Sequence, residues 1–214
     1  MQGFDLLRDA VGPGAISPSQ VLIDAGPGGN ALSPATAAAI SRLEAGLHRD
    51  REVAQVFFFP GGRFVDASGR YAQVMVAGQS DYGEESAQAF VHRLRDDIIP
   101  AARFPAGVKV LAGGGPPQGV DFLHVAYGAF PWLVLAVLAL TYLLLLRAFR
   151  SLLLPLKAVA LNLLSVAASY GMLVVFFRWG FGSKLGGIYQ VDQVEGWIPI
   201  FLFAMLFGLS MDYE

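Results

Sequence analysis

The sequence contains no cysteine, which removes disulfides, thiolate nucleophiles and cysteine-ligated metals from consideration. Histidine is nearly as scarce: His48, His92 and His124 stand far apart, without the close spacing of a metal-ligand pair. Charge is thin as well. Only 15% of residues are Asp, Glu, Lys or Arg, the net charge is −2, and the basic residues are scattered rather than grouped on one stripe. Such a chain offers no electrostatic footprint for a phosphate backbone, so nucleic acid is not an expected partner. Nothing in the sequence calls for a cofactor or a metal.

What the chain has in excess is apolar residues, 55% of the total, and they crowd into its last third. Up to about residue 119, charges, Gly and Pro alternate with short apolar runs; from 125 to 214, long stretches carry no charge. This division predicts a water-facing domain over 1–119 and a membrane domain over 120–214. Three spans are expected, at about 120–146, 156–177 and 197–214, the last one incomplete. Ala126 to Leu146 and Ala158 to Phe177 are each long enough, at about 1.5 Å per residue, to cross a hydrocarbon layer of roughly 30 Å. Trp197 to Glu214 stops just short of that thickness and lacks a positive flank.

Orientation follows from the connection RAFRSLLLPLK, which carries Arg147, Arg150 and Lys157. Short loops rich in Lys and Arg stay in the cytoplasm, so this connection is expected inside and residues 1–119 outside. The loop Arg178 to Glu195, with Trp179 and Trp197 as interfacial anchors, is then also outside. The opening MQGFDLLRDAVGPG is neither a signal peptide nor a span, and an outside domain has to be carried across the membrane. The chain therefore reads as a piece of a longer membrane protein.

Within residues 1–119 the period of apolar residues predicts an α+β unit in the order βαββαβ, the ferredoxin-like arrangement. Strands are expected over 20–26, 52–59, 70–78 and 107–115. One helix opens at Ser33-Pro34 and runs to about His48, with Ile40, Leu43 and Leu47 on one face. A second, introduced by Asp81 and Glu84 as a capping box, runs to about Ile98 with Ala87, Phe90, Val91 and Leu94 aligned. Gly26-Pro27-Gly28-Gly29-Asn30-Ala31 matches a dinucleotide-binding pattern, but Pro27 lacks an N–H and the helix opens several residues too late, so it reads as a flexible loop. Gly113 to Gly115 with Pro116 and Pro117 reads as a hinge before the first span.

Polar residues inside the spans carry the functional signal. Asn162, Ser165 and Ser169 share one helical face, suited to interhelical hydrogen bonds or to a wet pathway. Lys157 is close enough to its helix end to snorkel, and Tyr170 fits either role. Asp212 lies about 22 Å of helix from Trp197, at four-residue spacing from Ala204 and Gly208. An intramembrane carboxylate is costly unless it faces a partner or water, so Asp212 is either a functional group with a partner outside this chain or the polar cytoplasmic end of its helix.

FGLSMDYE after a Pro-containing apolar run, together with RAFRSLLLPLKAVALNLLSVAASYG and the opening DLLRDAVGPGAISPSQVLID, resembles the mycobacterial membrane protein large (MMPL) family of resistance-nodulation-division (RND) transporters. The likeness extends over nearly the whole chain. It implies a proton-motive-force-driven exporter of lipids or other hydrophobic compounds in the plasma membrane, not an enzyme. It implies two halves of six spans, each with an extracytoplasmic porter domain after its first span. This chain would come from the second half, from just after the seventh span into the tenth. The resemblance further implies that Asp212 and Tyr213 form part of a proton relay, completed by an Asp-Tyr pair in the missing half of the same transporter. Membrane lipids, the hydrophobic substrate and protons would be the remaining partners. Two other classes compete. An intramembrane aspartyl protease needs a second facing carboxylate that S-M-D-Y does not supply, and a membrane-anchored sensor or scaffold would use the outside domain to bind a partner.

Overall fold

The computed structural model describes residue 6, residues 10–179 and residues 197–211. The chain divides into two compact units, Met1–Asp121 and Phe122–Glu214.

In the first unit, a single helical turn at Pro13–Ile16 precedes strand β1 (Ser19–Asp24). Helix α1 (Pro34–Leu47), strands β2 (Val53–Phe57) and β3 (Tyr71–Gly78), helix α2 (Glu85–Arg93) and strand β4 (Lys109–Gly114) follow. The four strands form one sheet in the order β2-β3-β1-β4, with every neighbouring pair antiparallel. Alternation decides which side chains face the helices. Val21 and Ile23 of β1 and Ala72, Val74 and Val76 of β3 are buried, packed with Ile40, Leu43 and Leu47 of α1 and with Phe90 of α2. Those helix residues repeat at three- and four-residue steps, the stripe a helix needs to cover a sheet.

Helix α1 begins where its chemistry directs: the Ser33 hydroxyl accepts from the Thr36 N–H at 3.4 Å, and Pro34 occupies the first turn, where a missing N–H is least costly. The expected capping box at Asp81 forms only in half. Glu84 accepts the Asp81 N–H at 3.1 Å, yet the helix starts at Glu85, because the Ser80 end of the loop is held elsewhere. Ser80 donates its N–H and its hydroxyl to the buried carboxylate of Glu52, at 2.9 and 3.1 Å. Helix α2 also runs past its expected end, continuing through a wider π-type segment, Leu94–Ile98, and a further turn, Ile99–Ala101. Strand β2 stops at Phe57 rather than residue 59, and β1 at Asp24 rather than 26.

The Gly26–Ala31 segment is a hydrogen-bonded turn rather than a slack loop. Gly26 donates to Asp24 Oδ1, Leu32 to Asn30 Oδ1 and Ala31 to the Gly69 carbonyl. Arg70 reaches the same carboxylate through Nε (2.6 Å) and a terminal nitrogen (2.8 Å), and stacks over Tyr71 at 4.8 Å. The Arg70 hydrogen bond first, then the Gly26 amide, hold the Asp24 carboxyl down at about 2. A carboxyl lowered on folding contributes stability that is complete above about pH 4, the range of an unstructured Asp, and lost as pH falls toward 2. The thermal stability of the first unit is therefore expected to fall between pH 4 and pH 2, and Asp24→Asn to remove part of that dependence. An identical pH profile for the variant would show that the pair contributes nothing.

Helix α3 (Gly115–Phe149) starts at the end of the first unit and continues into the second, three residues join it to helix α4 (Leu153–Leu173), and a π-type turn, Val174–Arg178, extends α4. Arg150 closes α3 in the left-handed region, at φ 48°, with its N–H on the Leu146 carbonyl. Two helices, Gly115–Phe149 and Leu153–Phe176, are long and apolar enough to cross a membrane. Their most apolar windows are only 6% and 11% buried, unlike the core helix of a water-soluble domain. Of the expected third span, Trp197–Met211 is described, as helix α5.

The expected hinge is a correction. Strand β4 passes directly into α3 at Gly114-Gly115, with no loop between them. Gly114 has φ 88°, and a Cβ there would lie 2.4 Å from the Pro18 carbonyl oxygen; one on Gly115 would lie 1.9 Å from Ser17 Oγ. These glycines are set by close packing against the start of β1. The first helix likewise begins before its apolar run, so that Asp121 in its early turns pairs with Arg95 at 2.6 and 2.8 Å.

Candidate functional site

Helix α5 is the element that leads to the carboxylate singled out in the sequence. Its Phe203 and Phe207, one turn apart, are buried and pack with Val166 of α4 and with Phe130 and Val134 of α3. The Phe130 and Phe203 rings meet edge to face at 5.5 Å, and Phe203 and Phe207 stack at the same spacing. Each is a favourable aromatic geometry, and in an apolar medium packing of this kind is what holds helices together. Tyr170 of α4 donates its hydroxyl to the carbonyl of Pro199, in the first turn of α5. Tyr170 is thus a helix-to-helix tie.

The buried aromatic pair fixes which way α5 is turned. Ala204 and Gly208, each one residue beyond a buried Phe, are exposed, and a Cβ on Gly208 would meet no atom within 4 Å. The face with the small residues is therefore left open by α3 and α4. The next step of four along that face is residue 212. Asp212 and Tyr213 themselves lie outside the described residues.

The polar stripe on α4 divides. Asn162 is buried and shares its side with Val166 and Tyr170, at successive four-residue steps. Ser165 and Ser169 instead donate to carbonyls of their own helix, Leu161 at 3.1 Å and Ser165 at 3.0 Å. For the two serines, bonding within the helix replaces the expected bonds between helices: at i−4 the carbonyl is already in reach of the hydroxyl. Thr141 of α3 is a further buried polar residue that the sequence reading passed over. A hydroxyl within a run of Leu gave the only hint. Lys157 is exposed, four residues into α4, where a long side chain reaches toward the helix end.

In the first unit, the ion pairs are structural. Arg93 grips Asp50 through two nitrogens at 2.7 and 2.8 Å, and this hydrogen-bonded guanidinium holds the Asp50 carboxyl below the usual carboxylate range. Arg95 joins Asp121 and also the Ala112 carbonyl, at 3.2 Å. Among the described residues no group of three or more His, Cys, Asp or Glu is arranged to hold a metal. One feature was not foreseen. The aromatic run Phe57-Phe58-Phe59 continues past the end of β2, and its outward rings, with Phe64 and Met75, line an open trough.

Comparison with known proteins gives these features a setting. A family model described as "MMPL family" matches residues 1–214. The "Mycolic acid-containing lipids exporter MmpL11" of Mycolicibacterium smegmatis is 31% identical over 213 residues, covering 99% of this chain and 22% of that protein. The "Heme uptake protein MmpL11" of Mycobacterium tuberculosis is 32% identical over 215 residues, covering 99% and 21%. The "Trehalose monomycolate exporter MmpL3" of Mycobacterium tuberculosis is 34% identical over 110 residues, covering 51% of this chain and 12% of that protein. The chain spans about a fifth of the length of the MmpL11 relatives it matches.

Proposed function

Because this chain belongs to the MMPL family of membrane transporters, we propose that it forms part of a plasma-membrane exporter of lipids or other hydrophobic compounds, driven by the proton-motive force. The observation that carries the reading is the family match over all 214 residues, with relatives named as lipid exporters among the similar proteins. Those relatives are transporters rather than enzymes. The βαββαβ order and the β2-β3-β1-β4 antiparallel sheet support a ferredoxin-like porter subdomain outside the membrane. Helices α3 and α4 are two of its spans and α5 belongs to a third.

In this reading Asp212 is the titrating group and Tyr213 its hydrogen-bonding companion. Desolvation favours the neutral form of an isolated carboxyl, and a partner on a helix from the rest of the transporter tunes it back. Proton uptake and release then alter the cost of keeping that site closed to water. Each elementary charge carried through 100 mV supplies roughly 2.3 kcal/mol. The open small-residue face of α5 at Ala204 and Gly208 supports this arrangement, since it leaves room for a helix to approach.

The topology is directly testable, and the absence of native cysteine makes the test clean. Single cysteines placed at Asp66 and Gln190 are expected to react with an impermeant thiol reagent in intact cells, and one at Arg150 only after permeabilisation. The reverse pattern would overturn the orientation. The competing sensor or scaffold reading predicts no flux at all. Gradient-dependent export by the longer transporter that contains this segment separates the two.

A further inference from the structure

Among the described residues, the two long helices of the first unit pack on one face of its sheet, and the other face carries apolar side chains. Phe57 and Met75 sit directly opposite each other on β2 and β3, on the side away from the helices. Past the end of β2, the chain turns through Pro60, Gly61 and Gly62 and folds Phe64 back toward Phe59, ring centroids 5.8 Å apart. Phe59 is 66% exposed. The result is a trough of about 670 Å³, inside the roughly 300–1,000 Å³ range of small-molecule sites. The two glycines keep its lip open: both have positive φ, and a Cβ on either would meet nothing within 4 Å.

One charged residue lines this trough. Arg63 is exposed, and among the described residues no carboxylate is in ion-pair range of it, whereas Arg70, Arg93 and Arg95 each hold an Asp. The nearest acidic residue in the same loop, Asp66, is engaged by the Ser68 hydroxyl and by the Ser68 and Tyr71 amides. A guanidinium without a partner, beside an aromatic trough, is the complement of a molecule with one anionic end and one apolar body.

We infer that the Phe57, Phe59, Phe64 and Met75 trough with Arg63 at its rim is a binding site for a free single-chain anionic amphiphile. The acyl chain lies along the rings, and a carboxylate or phosphate accepts from the guanidinium. Met75 contributes an unbranched, polarizable wall that adapts to a flexible chain. This site belongs to the first unit alone, so it stands or falls separately from proton coupling at Asp212.

The test uses the 214-residue chain in nanodiscs of zwitterionic phosphatidylcholine, with palmitate carrying a photoreactive diazirine near its methyl end as probe. Saturable labelling of the peptide spanning residues 57–75 is expected, displaced by unlabelled palmitate and about fivefold less readily by hexadecanol, as the loss of one exposed charge contact implies. Arg63→Ala should raise the half-saturating concentration about fivefold, and Arg63→Lys should restore most of it. Phe59→Ser should reduce labelling, while Leu111→Ser, an exposed apolar residue on β4, should leave it unchanged. Both Arg63 and Phe59 are exposed, so these variants keep the fold. Labelling confined to residues 115–176, equal competition by the alcohol, or labelling of 57–75 only from a photoreactive lipid embedded in the disc would each overturn the inference. So would protection of 57–75 by a second copy of the chain, seen as labelling that falls with protein concentration.

Discussion

Asp212→Asn, made in the longer transporter that carries this segment, is expected to abolish lipid export while the protein remains in the membrane at normal levels. Asn keeps the size of the side chain and much of its hydrogen bonding, so helix packing around Phe203 and Phe207 should persist. What it loses is the exchangeable proton. If flux is coupled to that proton, export falls to background whatever the gradient. Tyr213→Phe should be milder. It deletes one hydroxyl at a cost of about 1 to 3 kcal/mol for the lost hydrogen bond, and leaves the titrating carboxyl in place. The paired measurement is export rate per transporter for both variants; export by Asp212→Asn protein in proportion to the gradient would mean that Asp212 acts as a structural polar group rather than a proton carrier.

Gly114→Ala is expected to destabilise the first unit by about 3 kcal/mol or more, an effect far larger than its chemistry suggests. An alanine at φ 88° carries roughly 1 to 3 kcal/mol of backbone strain, and its Cβ, 2.4 Å from the Pro18 carbonyl oxygen, forces backbone rather than a flexible side chain to move. Gly113 provides the control: a Cβ there meets nothing within 4 Å, so Gly113→Ala should be close to neutral. Amide hydrogen exchange over residues 19–24 reads the difference directly, because β1 pairs with β4 along its whole length. Loss of about 3 kcal/mol accelerates that exchange by about a hundredfold under native conditions. Tryptophan emission would not serve, since Trp132, Trp179 and Trp197 all lie in the second unit. Equal exchange in the two variants would return Gly114 to the role of a hinge.

These two positions mark the limits of what the sequence discloses. The order of strands and helices in the first unit was legible because each element announces itself locally: alternation in β1 and β3, a Ser-Pro start for α1, and three- and four-residue steps in α1 and α2. The face of α1 bearing Ile40, Leu43 and Leu47 was readable for the same reason. Gly114 and Gly115 were misread as a hinge because their constraint comes from Ser17 and Pro18, nearly a hundred residues earlier in the chain and invisible to any local pattern. Arg95 with Asp121 and Glu52 with Ser80 are likewise contacts across the fold. The trough was hidden by its own residues, since a run of three Phe reads as the continuation of a strand until the chain is seen to turn at Pro60.

In the second unit the sequence marked the apolar helices and singled out Asp212, through its four-residue spacing from Ala204 and Gly208. It did not disclose that Phe203 and Phe207 would turn α5 so that those two small residues stay uncovered by α3 and α4. That orientation depends on how aromatic rings from three helices fit together, not on hydropathy.

The most direct measurement is lipid flux in proteoliposomes containing the longer transporter, with a proton gradient imposed and then dissipated by a protonophore. Lipid flux is expected to rise with the gradient, to stop when the gradient is collapsed, and to carry protons in the opposite direction. Flux of the same size with and without the gradient would contradict it.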